Sequence, residues 1–455
     1  MSTHGMRTSN TTVLVDGQMT NGLQSDGAVQ SYYNDAMNSE MSYQTAAIGA
    51  ETSSGGVRLN MIPREGGNQF HGDFKAVNRP GAWQATNLTQ RHKDRGLSAG
   101  NAIDRIVDYT GSVGGPIKKD KTFFFTSGEL QRNNKNIDVL YDQLDSQNLR
   151  NTPGAAALLA VAPEKSLTAH SDLESTVSRF DHSINDNNTL TVRFDFTRNS
   201  ITDTAGAFIN TNGLGSATIT NRDVSNAAPT SNRTNYTGVV QWTSVLSPRT
   251  VNEIRLSEAS EFRPWDPRTG TEITLNNAGQ TVAIYGPQAT GLSYGNVGYK
   301  FSDRRHQITD NFSIVTGAHT MKMGFDANLV NSEVRFNPGY NGFYRFDSLQ
   351  QYLDRAPTTY QQFVGTGATT PHKHQYAWYI QDEWRVGRGL TLSPGFRYEM
   401  TLLPDYLPAT LPSRRFATES IPDDKEMYGP RMGLAWDVRQ NAKTVVRAAA
   451  GVFYA

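Results

Sequence analysis

Residues 109–131, YTGSVGGPIKKDKTFFFTSGELQ, decide the fold. They read as a strand, a tight turn and a second strand. Ser112, Gly114 and Gly115 are small, and Pro116 closes the first strand because proline cannot keep donating to a ladder. Lys118, Lys119, Asp120 and Lys121 make a short solvated turn. Phe123, Phe124 and Phe125 then open a second strand of high β propensity.

Working outward, turns of this kind recur at 117–120, 186–188, 247–249, 317–319, 387–389 and 439–442. Loops of roughly 25–40 residues separate them, against a usual median of about 4–6. From Phe70 onward the chain offers about 13 strands, many of them about 10–15 residues long and near the length that a tilted membrane strand requires. Three alternate clearly. Leu190, Val192, Phe194 and Phe196 oppose Thr191, Arg193 and Asp195. Leu390, Leu392, Phe396, Tyr398 and Met400 oppose Thr391, Ser393, Arg397 and Glu399. Met321, Met323, Phe325, Ala327 and Leu329 oppose Lys322, Asp326 and Asn328. A slip of one residue would reverse every side chain, so register is strongly specified. Short turns on one side and long loops on the other are the pattern of outer-membrane β-barrels. If lipid lies outside such a wall and water inside it, Phe194, Phe325 and Phe396 face out, and Arg193 and Arg397 face in.

Composition agrees with this class. The 455 residues carry 43 basic and 43 acidic side chains, and this balance gives no case for nucleic acid. There is no cysteine, which excludes a disulfide scaffold and a thiol nucleophile. No window holds the roughly 18–20 apolar residues of a membrane helix. A mean hydropathy of −0.54 is compatible with a barrel, whose strands are apolar on one face only. The first residues, MSTHGMRTSN, are not a signal peptide.

Residues 1–69 differ from the rest and read as part of a small α+β unit. Val13, Leu14 and Val15 form a short strand ending at Asp16-Gly17. Val57, Leu59 and Met61 alternate with Arg58 and Asn60 in another strand, which Pro63 and the Gly66-Gly67 pair end. Two of the long loops are expected to carry helices, one starting at Thr152-Pro153 and one capped by Asp347-Ser348 and stopped by Pro357.

Several stretches together resemble the TonB-dependent outer-membrane receptors, in particular their acidobacterial Oar-like branch. They are VLVDG (13–17), GAETSSGGVRLNMIPREGGNQFHGDF (49–74), GSVGGPIKKDKTFFFTSGELQR (111–132), YGPRMGLAWDV (428–438) and KTVVRAAAGVFY (443–454). The resemblance implies a mainly β fold: a partial transmembrane antiparallel barrel, about 13 of 22 strands, with part of an N-terminal α+β plug. On this reading residues 1–69 are the later part of the plug and residues 70–455 an incomplete barrel. The family's signal peptide, Ton box and first half of the plug are not found here, so an internal fragment is expected. The implied function is uptake of an unidentified solute across the outer membrane, driven by TonB and its inner-membrane energising complex, with outer-membrane lipid around the wall. A passive porin-like barrel or a surface adhesion protein is the alternative. The plug segment discriminates them, because a simple porin has no such preface. An isolated partial wall would expose two sheet edges that invite aggregation.

In this family plug cations pair with wall carboxylates, which makes Arg58 and Arg64, with Glu65, candidates for a latch. Arg193, Asp195, Arg397 and Glu399 are the candidate lumen-facing groups. Each could equally be an ordinary solvated position. Tyr376, Trp378, Tyr379 and Trp384 are candidates for an aromatic girdle. His372 and His374 form at best two metal ligands with no third nearby, a poor site. No phosphate loop, HExxH or GxSxG motif is present, and no enzyme, cofactor or metal is expected.

Overall fold

The computed structural model describes residues 11–21, 33–45, 49–53, 56–86, 88–94, 102–138, 166–202, 231–265, 272–275, 281–285, 299–335, 343–345, 354, 356–361, 368–404 and 423–454. Both helices expected in the long loops, after Thr152 and after Asp347, lie outside the described residues.

Strands β1 (Thr12–Val15), β2 (Gln18–Met19), β3 (Asn38–Gln44) and β4 (Arg58–Pro63) form a small sheet in the order β2-β1-β4-β3. Asp16 and Gly17 take φ of 55° and 75°, the double positive that a two-residue hairpin turn requires. A 3-10 turn, Asp35–Met37, leads into β3, and the Asn34 side chain caps it by accepting from the Ala36 amide at 2.8 Å. Val13, Val15, Met37 and Met61 are buried together, with Tyr33 and Leu59 packed beside them and Val177 of the larger sheet closing the cluster.

The larger sheet is the wall. It is built from β5 (His71–Pro80), β6 (Ala102–Lys118), β7 (Thr122–Asp138), β8 (Ser166–Asn185), β9 (Asn188–Thr202), β10 (Ser231–Ser247) and β11 (Thr250–Trp265). After a short hairpin of β12 (Glu272–Leu275) and β13 (Thr281–Tyr285) come β14 (Tyr299–Thr316) and β15 (His319–Arg335). A second short pair, β16 (Phe343–Arg345) and β17 (Thr359–Gln361), and the two-residue β18 (Ala368–Thr369) precede β19 (His372–Gly387), β20 (Leu390–Leu402), β21 (Asp424–Asp437) and β22 (Val445–Gly451). The sheet of the wall has 14 strands: 13 follow one path in chain order from β5 to β22, and the fourteenth, β18, pairs off that path with β15. Each pairing is antiparallel.

All six expected short turns join neighbouring strands of this wall. The strands are longer than expected, up to 20 residues in β8, because they continue past the length that a bilayer needs. Pro116 does not end β6. The strand runs on to Lys118, and the ladder is interrupted there by a bulge between Pro116 and Lys118, a position that tolerates proline. The small residues before it have a packing role: a Cβ on Gly115 would collide with the ring of Phe70. A five-residue helix, Gln90–Asp94, was not anticipated.

Burial in the wall is inverted relative to a water-soluble sheet. On β9 Thr191, Arg193, Asp195, Thr197 and Asn199 are all below 10% exposed, while Val192 is 39% and Phe194 50% exposed. Phe396 is exposed and Arg397 beside it is buried. Register carries this across strands. Phe180, Val192, Val240, Leu256, Ile308, Ala327, Tyr376 and Met400 occupy one continuous outward row from β8 to β20. Ala327 is the exception in exposure (2%) because Ile308 and Tyr376 flank and cover it.

Phe325, Trp378, Tyr398 and Tyr428 form an outward aromatic ladder with ring centroids 5.3, 5.9 and 5.2 Å apart. Trp436 lies eight residues beyond Tyr428 on β21, about 27 Å at ~3.4 Å per residue. A tilt of about 40° reduces that to roughly 20 Å, near the ~25 Å apolar band of an outer-membrane wall. Trp378 and Trp384 are outward as a girdle requires. Tyr379 is not: it is 7% exposed, stands opposite Arg397 on the inner face, and its hydroxyl donates to Asn311 Oδ1 at 2.6 Å. Adjacent residues on a strand cannot share a face, so Trp378 and Tyr379 could not both belong to the girdle.

Candidate functional site: the seat of the N-terminal sheet

The inner face of the wall is lined by charged residues spaced two apart, so that both members of a pair point inward. Arg179 and Asp181 flank Phe180, Arg193 and Asp195 flank Phe194, and Arg397 and Glu399 flank Tyr398. In each trio the aromatic side chain faces out and the ion pair faces in. The arginine Nε lies 2.9 Å from Asp181, 3.1 Å from Asp195 and 2.5 Å from Glu399 respectively. A guanidinium is planar, so fixing Nε on the strand's own carboxylate aims Nη groups away from the wall, although Arg179 also returns Nη2 to Asp181 at 3.0 Å. What they meet is the N-terminal sheet.

Arg193 is 2% exposed. It donates from Nη1 to Asp16 Oδ2 (3.3 Å), from Nη2 to Gln18 Oε1 (3.3 Å), and from both to the Val15 carbonyl (3.5 Å). Arg305 on β14 holds the next part of the same hairpin, donating to the Met19 carbonyl at 2.7 Å and the Asn21 carbonyl at 2.6 Å. Arg179 donates to the Pro63 carbonyl and to Glu65, both at 3.3 Å.

A second cluster grips residues 49–53, between β3 and β4. Arg397 donates to the carbonyls of Ala50 (3.3 Å) and Glu51 (3.2 Å). Arg431 on β21 donates to the carbonyls of Gly49 and Ser53. Gln381 accepts from the Ala50 amide at 2.7 Å. Most of these acceptors are backbone carbonyls. A charged donor on a carbonyl makes a stronger bond than a neutral one and leaves no second ion to desolvate.

Of the expected latch residues, Arg64 and Glu65 each pair with a wall residue, and Arg58 pairs within its own unit. Arg58 pairs with Glu51 at 2.9 Å and donates to Gln44 at 3.2 Å, both within the N-terminal unit. Arg64 pairs with Asp73 on β5 at 3.0 Å, with both side chains well exposed. Glu65 is the acceptor of Arg179. Arg193, Asp195, Arg397 and Glu399 all lie on the inner face, at the seat. Arg179, Arg431 and Gln381 were missed by sequence reasoning. The recurring Arg-aromatic-acid trio would have found Arg179, but nothing in the sequence singles out the other two. His372 and His374 start β19 with rings 4.9 Å apart, and among the described residues no group of three metal-ligating side chains forms.

Comparison with known proteins agrees with this architecture. Over 73 residues, 16% of this chain and 7% of the relative, the sequence is 37% identical to the TonB-dependent transporter Oar of Myxococcus xanthus. The structure resembles the outer membrane transporter YddB of Escherichia coli, with a TM-score of 0.63 at 12% identity, over 100% of this chain and 54% of that one. It resembles Pseudomonas aeruginosa FpvA, solved with heterologous pyoverdines, with a TM-score of 0.60 at 12% identity, over 96% and 50%. It also resembles the ferric enterobactin receptor PfeA of P. aeruginosa, solved with enterobactin, with a TM-score of 0.59 at 11% identity, over 99% and 55%. The chain thus spans about half the length of these solved relatives. The family described as outer membrane beta barrel domain matches residues 62–152 and 140–455. With that match running through nearly all of the wall, the chain belongs to the outer membrane β-barrel domain family, and its place is the outer membrane of a Gram-negative cell.

Proposed function

We infer that this chain works in TonB-dependent uptake of a solute across the outer membrane, with residues 1–69 as the later part of a plug and residues 70–455 as wall. One observation carries the reading: a distinct sheet is held by wall arginines on the polar inner face, while the opposite face of the same strands is apolar. A passive pore has no use for such an occupant. A transporter needs one, because a gate held by many hydrogen bonds stays shut until work is done on it. TonB and its inner-membrane energising complex would supply that work.

Two measurements test the reading. In a planar lipid bilayer the intact protein should carry no steady ion current; open channels from the unaltered protein would overturn the plug. In cells, a panel of ferric siderophores, cobalamin, oligosaccharides and peptides should yield at least one compound whose accumulation needs both this protein and TonB. Accumulation that needs the protein but persists without TonB would leave the wall intact and remove the energy coupling.

A further inference from the structure

The N-terminal sheet does not meet the wall in the same way on its two sides. Along β8, β9 and β14 it is held closely by Arg179, Arg193 and Arg305, and Val177 closes its apolar cluster. Toward β22 the inward positions of the wall are small: Ser393 and Gly395 on β20, Gly433 and Ala435 on β21, Ala449 and Gly451 on β22. They share the inward parity of Arg397 and Arg431 and stand in adjacent register rows, Gly395 and Gly451 beside Arg431, Ser393 and Ala449 beside Gly433. Side chains this short leave a cavity of about 810 Å³ between these strands and residues 44–51. Pockets of ~300–1,000 Å³ take a drug-sized molecule.

Residues 49–53 close one end of the cavity. Arg397, Arg431 and Gln381 grip them there, and a Cβ on Gly395 would lie 3.1 Å from Ala50 Cβ. From this contact the cavity runs past Gly433 and Ala449 to Ala435 and Arg447, toward the short turns at 387–389 and 439–442. Short turns mark the inner side of such a wall and long loops the outer side, so residues 49–53 stand at the outer end. Three cations, Lys322, Arg431 and Arg447, line the cavity with one carboxylate, Glu51. Glu51 is already shared between Arg58 at 2.9 Å and Lys322 at 3.8 Å. Arg447 is exposed and has no hydrogen-bond or ion-pair partner among the described residues. An excess of cations in a confined space concentrates anions, as the Arg and Lys rings of anion pores do.

We propose that this cavity is the solute's route through the interior of the wall, that it takes anionic solutes bearing carboxylate or phosphate groups, and that residues 49–53 are the stopper at its outer end. The β1–β2 hairpin is the fixed side. Work applied to the N-terminal sheet frees residues 49–53 first, because behind them lies a cavity, whereas behind the hairpin lie the buried arginines of β9 and β14. The proposal rests on the transport reading and adds to it a place, a stopper and a solute class.

The test uses the full chain in a planar lipid bilayer, with potassium chloride as the probe. Arg397→Gln/Arg431→Gln removes the grip on residues 49–53 and should turn the closed protein into an open channel that prefers chloride to potassium. Adding Ala449→Trp, which fills the cavity, should lower the conductance several-fold. Adding Ala448→Trp, one residue along on the lipid face, should leave it unchanged. Adding Arg447→Glu should reverse the ion preference. The chain has no cysteine, and the Gly395–Ala50 separation is near the ~3.5–4.5 Å between the Cβ atoms of a disulfide. Ala50→Cys/Gly395→Cys in the same background should therefore hold the channel shut when oxidised and let it open when reduced. Heat-modifiable mobility on gels confirms that each variant is folded. A channel indifferent to Ala449→Trp and to the disulfide would put the route elsewhere and overturn the proposal, and a preference for potassium in the Arg397→Gln/Arg431→Gln channel would overturn the solute class. Neither result would touch TonB-dependent uptake, since the bilayer holds no TonB. Conversely, solute accumulation that persists without TonB would remove the energy coupling and leave the route standing.

Discussion

Val15 and Met37 in the N-terminal sheet are 0% exposed, whereas Phe194 and Leu256 in the wall are 50% exposed. Conversely, the Arg58 side chain of the small sheet is 17% exposed, while Arg193 of the wall is 2% exposed. Two β-structures in one chain thus sort the same residue types in opposite directions. The small sheet gathers an apolar core, which Val177 of the wall closes. The wall makes no core of its own: its apolar face is buried by lipid, and its polar face is buried by the small sheet. Those burials differ in kind, since lipid covers any apolar surface and the small sheet covers only what is shaped and paired to receive it.

The contrast breaks most readily at Arg193. Arg193→Met should leave the buried Asp195 without its cation, and losing one partner of a buried ion pair costs about 3–5 kcal/mol. The wall should survive, because its ladders do not use this side chain. Limited proteolysis should then cut residues 11–63 in the folded protein, while heat-modifiable mobility stays normal. If the wall failed to assemble as well, wall and small sheet would be one folding unit, and the two-region picture would be wrong.

Phe194→Arg, one residue along, attacks the other face. An arginine at the middle of the lipid face costs about 2–4 kcal/mol. Assembly into vesicles should be weakened, but the proteolytic pattern of the N-terminal sheet in the assembled fraction should match that of the unaltered protein. Swapped phenotypes for Arg193→Met and Phe194→Arg would reverse the assignment of inside and outside.

Arg397→Gln sharpens the comparison by testing whether the seat is divisible. It should loosen Ala50 and Glu51, which Arg397 holds, and leave the β1–β2 hairpin protected, since Arg193 and Arg305 hold the hairpin independently. A charged hydrogen bond contributes about 1.5–3 kcal/mol. Hydrogen exchange at Ala50 and Glu51 should therefore rise by one to two orders of magnitude while exchange at Val15 stays unchanged.

The wall was legible in the sequence because lipid imposes a rule on every second residue, and alternation survives the loss of all other information. Thirteen strand positions and all six short turns could be read that way, and the inward direction of Arg193 and Arg397 followed from the same parity. The parity also excluded Tyr379 from the girdle, beside Trp378, and was not applied there. The seat was harder to read. The acceptors for Arg305, Arg397 and Arg431 are the carbonyls of Met19, Asn21, Gly49, Ala50, Glu51 and Ser53. Every residue has a carbonyl, so no side-chain pattern marks which ones are gripped. Charge matching alone pointed to Arg58, whose carboxylate partner Glu51 lies in the same unit, and to Arg64, which does meet a wall carboxylate, Asp73, but in an exposed pair.

The smallest expected effect is at Glu65. Its pair with Arg179 is 3.3 Å long, and its own side chain is 71% exposed. Exposed pairs are worth about 0–1 kcal/mol and are screened by salt. Arg179 also keeps Asp181 at 2.9 Å and the Pro63 carbonyl at 3.3 Å when Glu65 is neutralised. Glu65→Gln should therefore leave proteolytic protection of the N-terminal sheet unchanged at any ionic strength, and Arg64→Gln, whose pair with Asp73 is likewise exposed, should do the same. Release of the sheet by Glu65→Gln to the degree expected for Arg193→Met would mean that the seat holds by charge pairing at its rim. The buried capture of carbonyls would then be incidental, and the difference between the two regions would lie in their surfaces alone.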